Sequence, residues 1–312
     1  MRFATYLDPG DGAERVGVVE GDEVFALPRE TTLVAELTGG LEALLASGSR
    51  ALADRSGGSP LAGVVLRAPL PVPPSIRDFL AFEEHLRNAR GGQDIDPDWY
   101  ELPIFYFSNP AAVHGPGDDV AISPGSAMFD FELEVAAVVG ARGADLTPQD
   151  AERHIAGYTV MCDFSARDLQ RREMRLGLGP AKGKDGATSL GPWLVTRDEL
   201  EPYRSRRAFR LEMVASVNGR RYGGGNLDDL YWSFAEMLSY ASRGTEVVPG
   251  DVIGSGTVGT GCILELAMGA SGGDYPWLSP GDLVELSVEH LGTLRHRIGA
   301  AAPVQELRPG SA

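Results

Sequence analysis

The run Phe129-Asp-Phe-Glu-Leu-Glu-Val-Ala-Ala-Val-Val-Gly140 sets three acids into an otherwise apolar, β-prone stretch. Side chains along a strand alternate, so Asp130, Glu132 and Glu134 are expected on one face, with Leu133 and Val135 on the other. Neighbouring carboxylates repel unless a cation stands between them. An E-x-E pattern ordinarily marks the wet face of an edge strand. Here the apolar flanks argue for burial, and buried acids need a partner. A further acid closes the next candidate strand, Tyr158-Thr-Val-Met-Cys-Asp163, where a strand end opens towards a cleft. Carboxylates with no cysteine among them make a hard oxygen site, suited to Mg²⁺ or Mn²⁺, with Ca²⁺ also accommodated, rather than zinc.

Working outward, Ser75–Arg90 reads as a helix with apolar positions at Leu80, Phe82 and Leu86. Asp78 and His85 would then share one face, two turns apart. Asp78 is equally readable as a helix-terminus residue. Of the five histidines, no two have ligand spacing on one helix. Ahead of this segment, Arg2–Tyr6, Arg15–Glu20, Glu23–Ala26 and Val64–Leu70 read as short strands. Thr32–Ala46 reads as a helix with leucines at 33, 37, 41 and 45. Pro71, Pro73 and Pro74 make a stiff linker, so residues 1–70 are expected to form a small β unit of their own. Beyond it, 75–305 alternates strands with Gly/Pro/Asp punctuation. Phe129–Val139, Ile155–Cys162, Leu211–Val217, Asp251–Gly254, Cys262–Ala267 and Leu283–Val288 are the expected strands. Leu227–Ser242 is expected to be a helix and 306–312 a frayed tail. With 40 Gly and 21 Pro in 312 residues, the pattern favours a mainly β (α+β) chain with a closed or rolled sheet.

Composition narrows the partners. Twenty-eight Lys+Arg against 44 Asp+Glu give a net charge of −16, which repels phosphate backbones and anionic lipid. Nucleic-acid and membrane partners are therefore not expected. No apolar run reaches the roughly 18 residues a membrane helix needs, and the first dozen residues lack the basic and apolar parts of a signal peptide. Cys162 and Cys262 are the two cysteines, too few for a disulfide framework, so a reducing cytoplasm is expected. The glycine-rich run Gly254–Gly261 lacks the terminal Gly-Lys-Ser/Thr of a phosphate loop.

Taken together, these segments resemble the fumarylacetoacetate hydrolase family, in its full-length hydrolase type. The matching motifs are Asp78-Phe-x5-His85, Trp99-x2-Leu102-Pro103-x2-Tyr106 and Phe129-Asp-x-Glu132-x-Glu134. They continue with Tyr158-x4-Asp163-x-Ser-Ala-Arg-Asp-x-Gln170, Gly183-Lys184-x3-Thr188, Gly256-Thr257 and Leu264-Glu265-Leu266. The resemblance implies a mixed β-sandwich or β-roll catalytic domain behind a small N-terminal SH3-like domain. It implies that Asp78, Glu132, Glu134 and Asp163 bind a divalent ion, with Lys184 and Thr188 beside it. His85 would be the general base, oriented by Glu265. Arg167, Gln170 and Tyr106 would contact substrate oxygens, and Thr257 a substrate carboxylate. Three departures fall in the substrate pocket: Leu80 where the hydrolase type carries tyrosine, only Arg87 or Arg90 for an expected arginine, and Asn109-Pro110 where smaller relatives have lysine before proline.

The implied activity is metal-dependent cleavage of a carbon–carbon bond in a β-diketo acid such as fumarylacetoacetate or an acylpyruvate. An imidazole, with an ordinary pKa of ~6.5, can take a proton from attacking water at pH 7. A carboxylate on its other nitrogen fixes the tautomer, and a metal stabilises the departing enolate. Lys184, Arg167 or Gln170 would stabilise the oxyanion. On the same site, decarboxylation, isomerisation or dehydration of a 2-oxo acid is the alternative. On the residues alone, Lys184 could instead be an exposed loop lysine and Arg167 a purely structural partner. A small dioxo acid is the expected substrate, and a homodimer the expected assembly.

Overall fold

A computed structural model describes residues 1–28, 31–55, 58–268 and 275–308. It is a mixed α+β structure, mostly sheet. Among the described residues the largest sheet has twelve strands. Ten of them run Gly58–Pro60, Glu23–Ala26, Glu14–Glu20, Arg2–Leu7, Thr188–Thr196, Ile155–Asp163, Leu133–Val139, Val252–Gly254, Ile76–Phe79 and Phe105–Ser108, while Val65–Leu66 pairs with Arg2–Leu7 and Val113–His114 with Thr188–Thr196 off this path. A five-stranded sheet, built on Arg220–Asn226, Glu212–Val217, Leu283–Val288, Gly292–Gly299 and Val120–Ala121, packs against one face of it. The core between them holds Leu133, Val135 and Val160 from one sheet and Met213, Leu286 and Leu294 from the other.

The central strand Leu133–Val139 shows how sequence becomes layer. Leu133, Val135, Ala137 and Val139 join that core, while Ala136 and Val138 join a second core with Phe3, Leu44 and Leu190 on the opposite face. A strand buried on both faces reads as a continuous apolar run, which Leu133–Val139 does apart from Glu134. By the same two-residue step, Glu134 follows the column of Ala136, Asp163 that of Met161, and Asp78 that of Ile76, all three of those apolar residues in the second core. Three acids thus cap apolar columns on three strands at one end of the sheet, with Val252–Gly254 between the strands of Glu134 and Asp78.

Several expected elements change. The helix over Ser75–Arg90 is instead the strand Ile76–Phe79 followed by the helix Glu83–Ala89. Parallel pairing of Asp78 with Gly254 and antiparallel pairing with Tyr106 hold this segment extended, so tertiary contacts override local pattern. Asp78 and His85 therefore come from two elements rather than one helical face. Cys262–Ala267, expected as a strand, is the helix Ile263–Met268. Its first N–H groups, Ile263 at 2.8 Å and Leu264 at 3.0 Å, donate to the Asp130 carboxylate, which caps a helix start from across the sheet. The expected strand Phe129–Val139 breaks at 131–132: Phe129–Asp130 pairs with Ser165–Ala166 and only Leu133–Val139 joins the large sheet. That break takes Asp130 off the large sheet, where it shares Arg167 with Glu132. In Leu227–Ser242 the helix is confined to Phe234–Ala241, and Ser233 with Glu236 forms a capping box at its true start. Thr32–Ala46 divides into Leu33–Leu37 and Gly40–Asp54 around Gly40, whose φ is 81°.

The first 70 residues, expected to stand apart, extend the large sheet: Arg2 pairs with Val195 and Phe3 with Leu194. Phe3, Phe25 and Leu44 share a core with Ala136 and Met161. Among the described residues, no pairing closes these strands into an SH3-like barrel of their own. Of the expected tail, 309–312 lies outside the described residues. Among the described residues, no helix is long and apolar enough to cross a membrane.

Candidate active site

At the acid-bearing end of the sheet lies a cavity of ≈680 Å³. Asp78 and Glu132 line it, together with His85, Tyr106, Lys184 and Thr257. Glu134 and Asp163 are fully buried and absent from its lining. One carboxylate oxygen each from Asp78, Glu132 and Glu134 lies within 4.8 Å of the other two. The fourth expected acid is linked to them through shared partners: Lys184 Nζ donates to Asp163 Oδ2 at 2.6 Å and to Glu132 Oε2 at 2.5 Å. The Tyr106 hydroxyl donates to Asp163 and, at 3.2 Å, to Asp78. Lys184 is only 4% exposed, which excludes the exposed-loop alternative.

Two glycines create the space. The Gly256 N–H donates to Glu134 Oε2 at 3.0 Å and to Asp78 Oδ1 at 3.3 Å. A Cβ at Gly256, whose φ is 74°, would lie 2.2 Å from the Phe79 carbonyl oxygen. At Gly254 a Cβ would meet Asp78 Oδ1 at 2.5 Å. The glycine-rich run is thus a close-approach wall around carboxylates, not a phosphate loop.

The charges do not balance. Asp78, Asp130, Glu132, Glu134 and Asp163 face Lys184 and Arg167, all buried, which leaves a formal excess of three negative charges (five against two). Burial pushes the Glu134 carboxyl well above its usual range, with Asp78 adding to the effect. Burial likewise raises Asp78, and lifts Asp163 to about 7 against the pull of Lys184. Burial works on Glu132 too, but Arg167 and Lys184 outweigh it and hold that carboxyl well below its usual range. Glu134 Oε1 and Asp163 Oδ1 are buried with no hydrogen-bond partner. Buried polar atoms without partners are costly. An all-oxygen, net-negative cluster with orphaned lone pairs fits a hard divalent cation, which Asp78, Glu132, Glu134 and Asp163 would hold.

Beside this cluster stands a second constellation. His85 Nδ1 lies 2.6 Å from Glu265 Oε1, across two facing helices. Asn88 Nδ2 and the Thr260 N–H each donate to Glu265 Oε2 at 2.8 Å, and Cys262 Sγ lies 3.5 Å from Oε1. The predicted partner of the buried Glu265 is therefore the one found. Asn88 was not singled out in the sequence, although its spacing from His85, three residues on one helix, would have pointed to it.

Arg167 lines the cavity floor with its guanidinium held by neighbouring side chains. Its Nε donates to Asp130 Oδ2 at 2.8 Å, its Nη2 forms an ion pair with Glu132 Oε1 at 2.7 Å, and its Nη1 donates to Gln170 Oε1 at 3.1 Å. Gln170 does line the cavity. Thr188 sits opposite Asp163 in register, but its hydroxyl pairs with Ser108 at 2.8 Å and it does not line the cavity. Asp130, expected beside the glutamates, instead joins Arg167 to the start of the Glu265 helix.

The fold and this acid cluster define a class, and comparison with known proteins identifies it. Residues 75–299 match the family described as fumarylacetoacetate (FAA) hydrolase, C-terminal, and the chain belongs to that family. It is 30% identical over 310 residues to a mitochondrial oxaloacetate tautomerase of Bos taurus, covering 96% of this chain and 91% of that one. It is 31% identical over 268 residues to the fumarylacetoacetase of Arabidopsis thaliana, covering 67% and 63%. A solved maleylpyruvate hydrolase of Sphingobium sp. SYK-6, in complex with manganese(II) ion and pyruvate, superposes with a TM-score of 0.72. At 23% identity, the match covers 97% of this chain and 100% of that one. The relatives thus include hydrolases and tautomerases on one fold.

Proposed function

We propose that this protein is a divalent-metal-dependent hydrolase that cleaves a carbon–carbon bond in a 2,4-dioxo acid. The observation that carries this reading is the His85–Glu265 pair at the edge of an acid cluster with unsatisfied oxygens. Asp78, Glu132, Glu134 and Asp163 would hold the divalent ion, which would supply Lewis-acid stabilisation of negative charge developing on the substrate. Glu265 accepts a hydrogen bond from Nδ1–H of His85, which leaves the other ring nitrogen to take a proton from water. That water adds to the C4 carbonyl, with Gln170 and Lys184 as the polar groups near the developing oxyanion. Collapse breaks the C3–C4 bond, with C4 leaving as a carboxylic acid. The bond's electron pair stays on C3, which takes the proton back from His85 to give the 2-oxo acid.

A second reading has its own support in the near full-length similarity to an oxaloacetate tautomerase. There the same base would move a proton between carbon and oxygen without adding water. Incubation of 2,4-dioxo acids and oxaloacetate in ¹⁸O-water, with Mg²⁺ or Mn²⁺, separates the two by mass spectrometry. Label in the released carboxylate and two products support hydrolysis; keto–enol exchange without bond cleavage supports tautomerisation. His85→Ala is expected to lower cleavage about 10²- to 10⁴-fold, and undiminished cleavage would reject His85 as the base. A cytoplasmic homodimer completes the proposal, and light scattering on the purified protein tests the assembly.

A further inference from the structure

The cavity has two unlike halves. Its floor carries Asp78, Glu132, Arg167 and Lys184, whereas its outer wall is Leu80, Leu86, Ile104, Phe107, Met174 and Leu178. Four of these wall residues are open to solvent: Ile104 at 54%, Phe107 at 65%, Met174 at 54% and Leu178 at 96%. Single exposed apolar residues are ordinary, but a cluster continuous with a cavity marks a binding surface. The wall is assembled from Leu80 after Ile76–Phe79, the His85 helix, the edge strand Phe105–Ser108 with Ile104 before it, the end of the helix Arg167–Met174 and the loop that follows.

Among the described residues, no Lys or Arg side chain lines the outer half of the cavity. The Lys and Arg residues lining the cavity are Arg167 and Lys184, and both are engaged by Asp130, Glu132 and Asp163 on the floor. Arg87, on the helix beside Leu86, is paired with Glu83. A volume of ≈680 Å³ lies within the roughly 300–1,000 Å³ of sites for drug-sized ligands, more than a dioxo acid head requires.

We infer that the acyl end of the substrate is an apolar alkyl or aryl group rather than a second carboxylate, and that this wall selects it. The inference rests on the dioxo acid reading above. Calorimetric titration of the His85→Gln protein with Mn²⁺ present measures binding without turnover. The ligands are 2,4-dioxo acids ending in methyl, butyl, hexyl or phenyl, and one ending in a carboxylate at the length of the hexyl compound. Affinity is expected to rise about threefold to fourfold per added methylene. The carboxylate-ended ligand is expected to bind at least about tenfold more weakly than the hexyl one. Leu178→Asp and Phe107→Ser alter exposed positions; each is expected to reduce the hexyl gain and leave methyl binding unchanged. Equal affinity across all tails, or preference for the carboxylate-ended ligand, would overturn the wall while the head-group reading stands. Failure of every dioxo acid to bind would overturn the head-group reading and the inference with it.

Discussion

Asp130 and Glu134 are four residues apart, both fully buried, and opposite in their surroundings. Asp130 accepts from the N–H groups of Phe131 and Ile263 at 2.8 Å, from Leu264 at 3.0 Å, and from Arg167 Nε at 2.8 Å. Glu134 accepts from Gly256, and its other oxygen has no partner. Burial raises both carboxyls, but for Asp130 the Arg167 charge and the Ile263 N–H pull back, whereas for Glu134 the nearby acids push further. A carboxylate whose acceptor sites are filled is a structural tie. One left unfilled has capacity reserved for something that arrives later. Sequence spacing placed both acids in one row; their hydrogen bonds divide them.

The sharpest way to break this contrast is Glu134→Gln. Metal-dependent activity is expected to fall at least about 100-fold, and the rise in melting temperature on adding Mn²⁺ to disappear, while the metal-free protein melts higher because a repelling charge is gone. If a full Mn²⁺ shift survives in scanning calorimetry, Glu134 is no ligand. Asp130→Ala is expected to act on the fold instead. It removes one of the two carboxylates on the buried Arg167 and strands two helix N–H groups, a loss of about 3–5 kcal/mol in urea unfolding with or without metal. A loss under about 1 kcal/mol would mean the tie is not structural.

His296 extends the comparison to a buried base that is satisfied when neutral. Its Nδ1 lies 2.8 Å from the Asp118 carbonyl, its Nε2 lies 2.8 Å from Ser189 Oγ, and burial pushes its pKa down to about 4. The unfolded chain takes up this proton near pH ~6.5, the native protein only near 4, so stability is full above 6.5 and is lost as pH falls through this window. Unfolding at pH 7 and pH 5 should differ by about 2 kcal/mol from this group, and His296→Asn should flatten that slope. A slope unchanged in the variant would assign the effect elsewhere. The smallest effect belongs to Asn88→Ala. As a positioning residue it should lower kcat about tenfold with KM and melting temperature little altered; a matching drop in melting temperature would make it merely structural.

Much of the site was legible because its chemistry is local: hard acids set into apolar strands stand out, as Glu132, Glu134 and Asp163 do. Of the partners distant in sequence, the His85–Glu265 pair was legible through the family resemblance, whereas the pairings that shape the backbone were not. Asp78 looks helical until Val252–Gly254 pairs with its segment, and Cys262–Ala267 looks extended until Asp130 supplies the missing cap. The rim was silent for another reason. Leu178 lies between glycines, where no periodicity announces it, and only the folded chain shows what it borders.

Gly254 and Gly256 carry a consequence for variation in this chain. The room at Gly256 is bounded by the Phe79 main chain, and that at Gly254 by the Asp78 carboxylate and the Met161 side chain. A methyl group at either position would evict Asp78 or spread two strands. In a saturation library selected for turnover, these two codons should therefore tolerate nothing else, even though neither residue offers an atom to the chemistry beyond its backbone.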